Sequence, residues 1–333
     1  MNNLLDPAIL FFVFGALAGL VKSNLEIPAQ ISRFLSLYLL MALGLKGGFA
    51  LAQSGLTAQV ASGLACAVTL AVVVPLLALR VLRRLVNPYD AAALAATYGS
   101  VSAVTFVTAV QFLETRGLSY GGHMAAAMAL MESPAIILAV LFANSLRRRE
   151  AAMAGEGAGS AGASVVPSSR PSMGKVLHES LTDGAQLLLL GAMLVGLLTG
   201  ESGREAMQPF SGDLFKGMLA FFLLDMGLQT ARNLPQLRGQ SPWLLAYALI
   251  APLVHAALAL ALARLAGLPL GDTVLLMVLA ASASYIAVPA VLRHAIPQAN
   301  PSVYFGLSLG LTFPFNILVG IPAYAALAGW ALG

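Results

Sequence analysis

Two short stretches carry residues that a segment lying in lipid has no need of. Residues 280–290 read AASASYIAVPA and place Ser282, Ser284 and Tyr285 just ahead of Pro289. Residues 98–105 read YGSVSAVT and place Gly99, Ser100, Ser102 and Thr105 in a similar run. Both sit inside apolar segments long enough to cross a bilayer, where a broken helix survives only beside protein or a water-lined cavity. Hydroxyls and the free N–H groups of a helix start suit a small anion, and carbonyls released by the break suit a cation such as Na+. The same small residues also serve close helix packing, so either stretch alone leaves both readings open. Glu132, two residues before Pro134, is a carboxylate within a span. Such a group is costly in a membrane and faces the protein interior or a cavity. It is a candidate cation ligand or proton carrier, with a structural pairing as the alternative. Asn316, close to Pro314, is a further candidate oxygen ligand for Na+.

Other polar residues read as structural. Lys46 and Asp225 both fall inside spans and are expected to pair, unless Lys46 reaches outward along its stem. Asp90 and Asp272 open their spans as N-caps. His255 follows Pro252 within a span and reads as a buried hydrogen-bonding group, while His123, His178 and His294 fall near span ends. The single cysteine, Cys66, excludes a disulfide framework and a multi-cysteine metal site. No metal-ligand spacing, nucleophile elbow or phosphate loop is present, so an intramembrane enzyme has no catalytic constellation to work with.

The elements that must position these residues are membrane helices. The 333 residues are 59% hydrophobic and 10% charged, against about 25% charged in soluble domains. Ten candidate spans emerge, at about 6–21, 34–52, 57–80, 90–113, 122–145, 180–199, 212–230, 243–265, 272–293 and 303–329. The first apolar block has no basic leader, so no cleavable signal is expected. A Gly/Ala/Ser/Pro-rich segment, 147–178, reads as a flexible linker between a first half, 1–146, and a second half, 179–333. With that linker in the cytoplasm, thirteen basic residues fall inside against four outside, and both termini are outside. The basic residues are confined to loops and span ends, which is no nucleic-acid footprint.

The halves repeat. LLMALGLKG (39–47) aligns with FLLDMGLQT (222–230) through Gly44 and Gly227; the segments from Asp90 and Asp272 align through Ser100/Ser282 and Ser102/Ser284; and MESPAIIL (131–138) aligns with LTFPFNIL (311–318) through Pro134 and Pro314. Five spans per half is an odd number, so the second half enters the membrane inverted. Inverted repeats with a midplane site between interrupted helices are the pattern of secondary transporters.

The runs YALIAPLVHAALA (247–259), AASASYIAVPAVLRHAIPQANPSVY (280–304), GSVSAVTF (99–106) and MESPAIILAVLFANS (131–145) together resemble the sodium-dependent bicarbonate transporters of the SbtA type. The resemblance implies an all-α polytopic protein of ten transmembrane helices. Helices one, two, six and seven would form a gate domain and the others a core domain that carries substrate, assembled as a homotrimer in a bacterial inner membrane. It implies import of bicarbonate with Na+ and, in some members, a soluble regulatory protein as partner. Gly99, Ser102 and Thr105 match the family's small polar pattern in the first crossing helix, Ser282 and Ser284 in the second, and Glu132 stands where the family has a carboxylate. Two departures stand out. Tyr285 replaces a family Asp, and Ala287-Val288-Pro289-Ala290 replaces Ser-Gly-Pro-Pro. A phenol is a poor cation ligand but a good donor to an anion. Another small anion such as a monocarboxylate, proton coupling through Glu132, and a non-transporting membrane sensor or scaffold are therefore the competing expectations.

Overall fold

A computed structural model describes residues 6–55, 57–156 and 184–333. His178, the side chain of His294 and most of the expected linker lie outside the described residues. The described residues are helical, with no strand. Helix α1 (Pro7–Leu20) starts where the Asp6 side chain accepts from the Ala8 amide and Pro7 takes the first helical position. It is followed by α2 (Ala29–Ser54), α3 (Ala58–Leu82), α4 (Pro88–Gly99), α5 (Ala103–Thr115) and α6 (His123–Glu156). The second half contributes α7 (Gly184–Met207), α8 (Phe215–Asn233), α9 (Pro242–Leu265), α10 (Leu270–Ala281) and α11 (Ala287–Ala295). It closes with the rod α12 (Pro301–Leu332), which contains two π-helical turns, Ser308–Thr312 and Asn316–Gly320.

Among the described residues seven helical runs are long and apolar enough to cross a membrane, and two shorter apolar helices, Pro7–Leu20 and Leu270–Ala281, accompany them. The chain is a multi-pass membrane protein. One of the seven runs, Gly184–Leu237, is 54 residues long, about 80 Å at helical rise against a hydrocarbon core of about 30 Å. It is not one rod. Gly200 leaves the helical region at φ 54 and ψ −134, and a π-helical turn at Gln208–Asp213 separates α7 from α8.

The two arms choose different partners: α7 packs along α2, and α8 packs along α1. Glycines set the spacing of both pairs. A Cβ on Gly44 of α2 would lie 2.4 Å from the Leu189 carbonyl oxygen of α7, and one on Gly227 of α8 would lie 2.1 Å from the Phe12 carbonyl oxygen of α1. Only backbones in van der Waals contact give such distances, which is how small residues join helices in lipid. The two glycines aligned in sequence therefore do the same work in the two pairs.

The remaining helices enclose α4 and α10. Every residue from Asp90 to Gly99 and from Gly271 to Ala281 is buried, as expected of helices that are apolar on all sides. Helices α3 and α6 pack on α4, and α9 and α12 pack on α10.

Three expectations change. Helix α6 continues to Glu156, so the segment read as a linker from 147 begins as helix. Its residues there are good helix formers, and it is pinned on both sides: Arg147 donates to the Ala295 carbonyl at 2.8 Å, and the Tyr89 hydroxyl donates to Glu150 at 2.7 Å. Lys46 pairs with Glu114 at 2.9 Å rather than with Asp225. Tyr120 donates to the same carboxylate at 3.0 Å, and burial with the neighbouring negative charge holds its phenol above the usual tyrosine range. Asp225 instead accepts from Gln229 one turn on, at 2.9 Å. Finally, Asp90 and Asp272 do not cap their own helices. Asn87 caps α4, while Asp90 accepts from the Asn300 amide at 2.7 Å and Asp272 accepts from the Gly121 amide at 2.5 Å. Each carboxylate is buried at the start of one broken helix and holds a loop from the opposite half.

Candidate functional site

Both polar stretches are breaks in helices. Helix α4 ends at Gly99, and α5 restarts at Ala103 with Ser102 as its N-cap, the Ser102 hydroxyl accepting from the Thr105 amide at 3.2 Å. Helix α10 ends at Ala281 and α11 restarts at Ala287. Pro289 therefore does not break a helix. It occupies the first turn of α11, where a missing N–H costs nothing.

The two breaks are bonded to each other. The Ser284 amide donates to the Thr97 carbonyl at 2.8 Å. The offset that pairs Ser102 with Ser284 also pairs Thr97 with Leu279, and that second contact is made through a hydroxyl. The Ser102 amide donates to Ser282 Oγ at 2.9 Å, and Ser282 Oγ donates to the Leu279 carbonyl at 2.9 Å. One half thus joins the other directly, and the reverse contact is bridged by a side chain. The Ala281 carbonyl, freed at the break, accepts from Asn316 Nδ2 at 2.9 Å, and Asn316 Oδ1 accepts from Tyr324 at 2.9 Å. On the other side Pro252 leaves the Ala248 carbonyl without its helical donor. Thr312 Oγ1 donates to that carbonyl at 2.8 Å and accepts from the Tyr98 hydroxyl at 2.7 Å. The Ala281 and Ala248 carbonyls are thereby satisfied from α12.

What remains open is a cavity of about 140 Å³ beside the crossing. Its lining brings together Ser102, Ala103 and Val104 at the start of α5, Ser284 through Ala287 at the start of α11, and Glu132 of α6. Ser36 and Leu40 of α2 and Ala185, Gln186 and Leu189 of α7 close the remaining side. A helix start leaves its first N–H groups without intrahelical acceptors; at α5 and α11 those groups border the same space. Ser284 is partly committed, its hydroxyl accepting from the Val288 amide at 3.3 Å. Tyr285 is buried in the wall. Its hydroxyl lies 3.7 Å from Met226 Sδ, a weak acceptor, and the Ser102 hydroxyl and Asp225 are among its electrostatic neighbours. Glu132 is half-buried.

Of the residues expected at a site, Ser102, Ser284, Tyr285 and Glu132 meet at this cavity, while Gly99, Ser100, Thr105, Ser282 and Asn316 do not line it. Gly99 packs on α3, where a Cβ would lie 2.4 Å from Pro75 Cβ. Ser282 and Asn316 are spent on the hydrogen bonds above. Thr105 is buried within α5, its amide on Ser102. Ser100 is buried and its hydroxyl has no partner among the described residues. Gln186 and Ser36 carry no sequence signal of their own, since each is a lone polar residue near the start of a span.

A family model, the Na+-dependent bicarbonate transporter superfamily, matches residues 7–329. The chain belongs to that family. No curated protein sequence matches it.

Proposed function

We propose that this chain is a secondary active importer of bicarbonate coupled to Na+, working by alternating access. The observation that carries the reading is the convergence of two helix starts and one carboxylate on a single small cavity. The starts of α5 and α11 direct N–H groups and positive dipole ends at it, which favours a small anion. Glu132 supplies the negative charge that a cation needs. A cation beside the anion cancels its charge near the midplane and lowers the cost of removing either from water. The carbonyls of Thr97, Leu279 and Ala281 each already accept a hydrogen bond. Glu132 is the carboxylate on the cavity lining and would be the principal cation ligand. Ser102 and Tyr285 border the anion position and would donate to its oxygens.

The arrangement supports a division into an α1–α2–α7–α8 gate and a core of the remaining helices, ten crossings in two inverted halves. The cavity lies between the two. Alternating access would carry the crossing past the gate helices, with a homotrimer in a bacterial inner membrane as the assembly.

Tyr285 favours a second reading, proton coupling through Glu132, because it stands where the resemblance places a carboxylate. Uptake of labelled bicarbonate into proteoliposomes under an imposed Na+ gradient, then under a proton gradient, separates the two. Absence of flux under either gradient refutes transport, and flux indifferent to Na+ replaces the first reading with the second. Glu132→Gln is expected to uncouple flux from either gradient.

A further inference from the structure

Away from the crossing, a groove of about 490 Å³ runs between the last turns of α3 and the first half of α9. Its walls are Leu77, Val81, Trp243, Ile250 and Val254, all exposed apolar side chains. On α9 the lining extends from Trp243 to His255, about 18 Å at helical rise, or roughly one leaflet of the hydrocarbon core. Arg80 stands at the end where α3 finishes and α9 starts. It is exposed and has no hydrogen-bond or ion-pair partner among the described residues. Its neighbour Arg83 is engaged, its guanidinium lying 5.3 Å from the Phe142 ring centroid. Trp243, 74% exposed at the same end, is the kind of side chain that sits at headgroup level.

We infer that this groove is a binding site for an anionic glycerophospholipid, with its phosphate at Arg80 and one acyl chain laid along α9. Charge and length select this occupant. Among the residues that line the groove Arg80 is the one cation, set above an apolar floor of one-leaflet depth with an interfacial tryptophan at the same end. A zwitterionic lipid fills the floor equally well but brings its own ammonium to the mouth and gains less from Arg80. The floor also reaches the crossing. Tyr247 lies in it and packs edge-on against Tyr98, with ring centroids 5.1 Å apart. Tyr98 directly precedes the break at Gly99 and is fixed by Thr312. His255, at the deep end, interacts with the Ala280 carbonyl just before the second break. A chain seated in the groove therefore bears on the helix ends on both sides of the crossing. The inference concerns binding and does not depend on what is transported.

The test uses the full chain purified in detergent, with phosphatidylglycerol or phosphatidylcholine of identical acyl chains added back. Retained lipid is read by native mass spectrometry and thermal stability in parallel. The expected result is preferential retention of phosphatidylglycerol, by about fivefold for one basic group at the headgroup level. Arg80→Gln is expected to abolish that preference while leaving the fold intact, because the side chain is exposed and has no partner among the described residues. Ala246→Trp, which fills the groove, is expected to reduce retention of both lipids. Equal retention of the two lipids by the unmodified chain overturns the proposal, as does a preference that survives Arg80→Gln. A change of oligomeric state in Ala246→Trp without loss of lipid also overturns it, by assigning the groove to a second copy of the chain.

Discussion

Ser282 and Ser284 are aligned with Ser100 and Ser102 in sequence and sit two residues apart, yet removing their hydroxyls should have unequal effects. Ser282→Ala deletes the bridge between the halves. The Leu279 carbonyl keeps a weaker bond from the Ser282 amide at 3.3 Å, but the buried Ser102 amide loses its acceptor. An orphaned buried donor costs about 1–3 kcal/mol, and the lost hydroxyl–carbonyl bond adds about 1 kcal/mol. The expected total is about 2–4 kcal/mol. Ser284→Ala leaves the direct contact untouched, because that contact uses the Ser284 backbone amide. It loses only the 3.3 Å bond from Val288, a capping interaction of about 0.5–1 kcal/mol. At roughly 2 °C per kcal/mol, Ser282→Ala should melt about 4–8 °C below the parent and Ser284→Ala about 1–2 °C below. Thermal unfolding in one detergent measures both. Hydrogen exchange of the Ser102 amide gives a local readout, fast in Ser282→Ala and slow in Ser284→Ala. Equal destabilisation, or protection of the Ser102 amide in Ser282→Ala, would refute the bridging role.

Other consequences follow from single contacts. Asn316→Leu strips Ala281 of its donor and Tyr324 of its acceptor and is expected to cost about 2–4 kcal/mol in thermal unfolding. Lys46→Met leaves the partly buried Glu114 carboxylate with Tyr120 alone among the described residues, a loss of about 1–3 kcal/mol, between the exposed and fully buried cases. The swap of Lys46→Glu with Glu114→Lys should recover part of that loss in the same assay. Gly227→Leu forces α8 off α1, because even a Cβ there meets the Phe12 carbonyl. It is expected to abolish the folded species on size-exclusion chromatography, whereas Gly217→Leu, with open space around it, should elute as the parent does.

The breaks at both crossing segments were legible because they are local. Ser, Gly and Ala runs next to a proline disturb an apolar pattern whatever surrounds them. What those residues bond to was not legible, because each partner comes from the other half of the chain. Ser282, expected as a ligand, also bridges the halves, and Asn316, expected as a cation ligand, also braces the carbonyl before the second break. Lys46 reads as a partner for the other charge inside a span, whereas Glu114, its actual partner, sits in the last turn of α5. Asp90 and Asp272 fall in first turns, where an acidic residue ordinarily serves its own helix, and only the fold brings Asn300 and Gly121 to them. The length of α6 was missed for the opposite reason: an arginine-rich stretch reads as a span's end, yet it is also good helix, and no glycine interrupts it before Gly155.

The reciprocal stitching of the halves bears on the order in which the protein is made. The bonds from Ser284 to Thr97, Ser102 to Ser282, Asn300 to Asp90 and Gly121 to Asp272 each join a residue synthesised before the long α6 to one synthesised after it. When the first half leaves the ribosome, Thr97, Ser102 and Asp90 are already in the membrane without the groups that will satisfy them. The broken helix at this stage is an unfinished part rather than a folded one, and it can serve as a quality signal. Expressed alone, the first half should be cleared by membrane proteolysis. Expressed beside the second half as a separate chain, it should be rescued. Assembly from two polypeptides would show that the crossing itself holds the halves together.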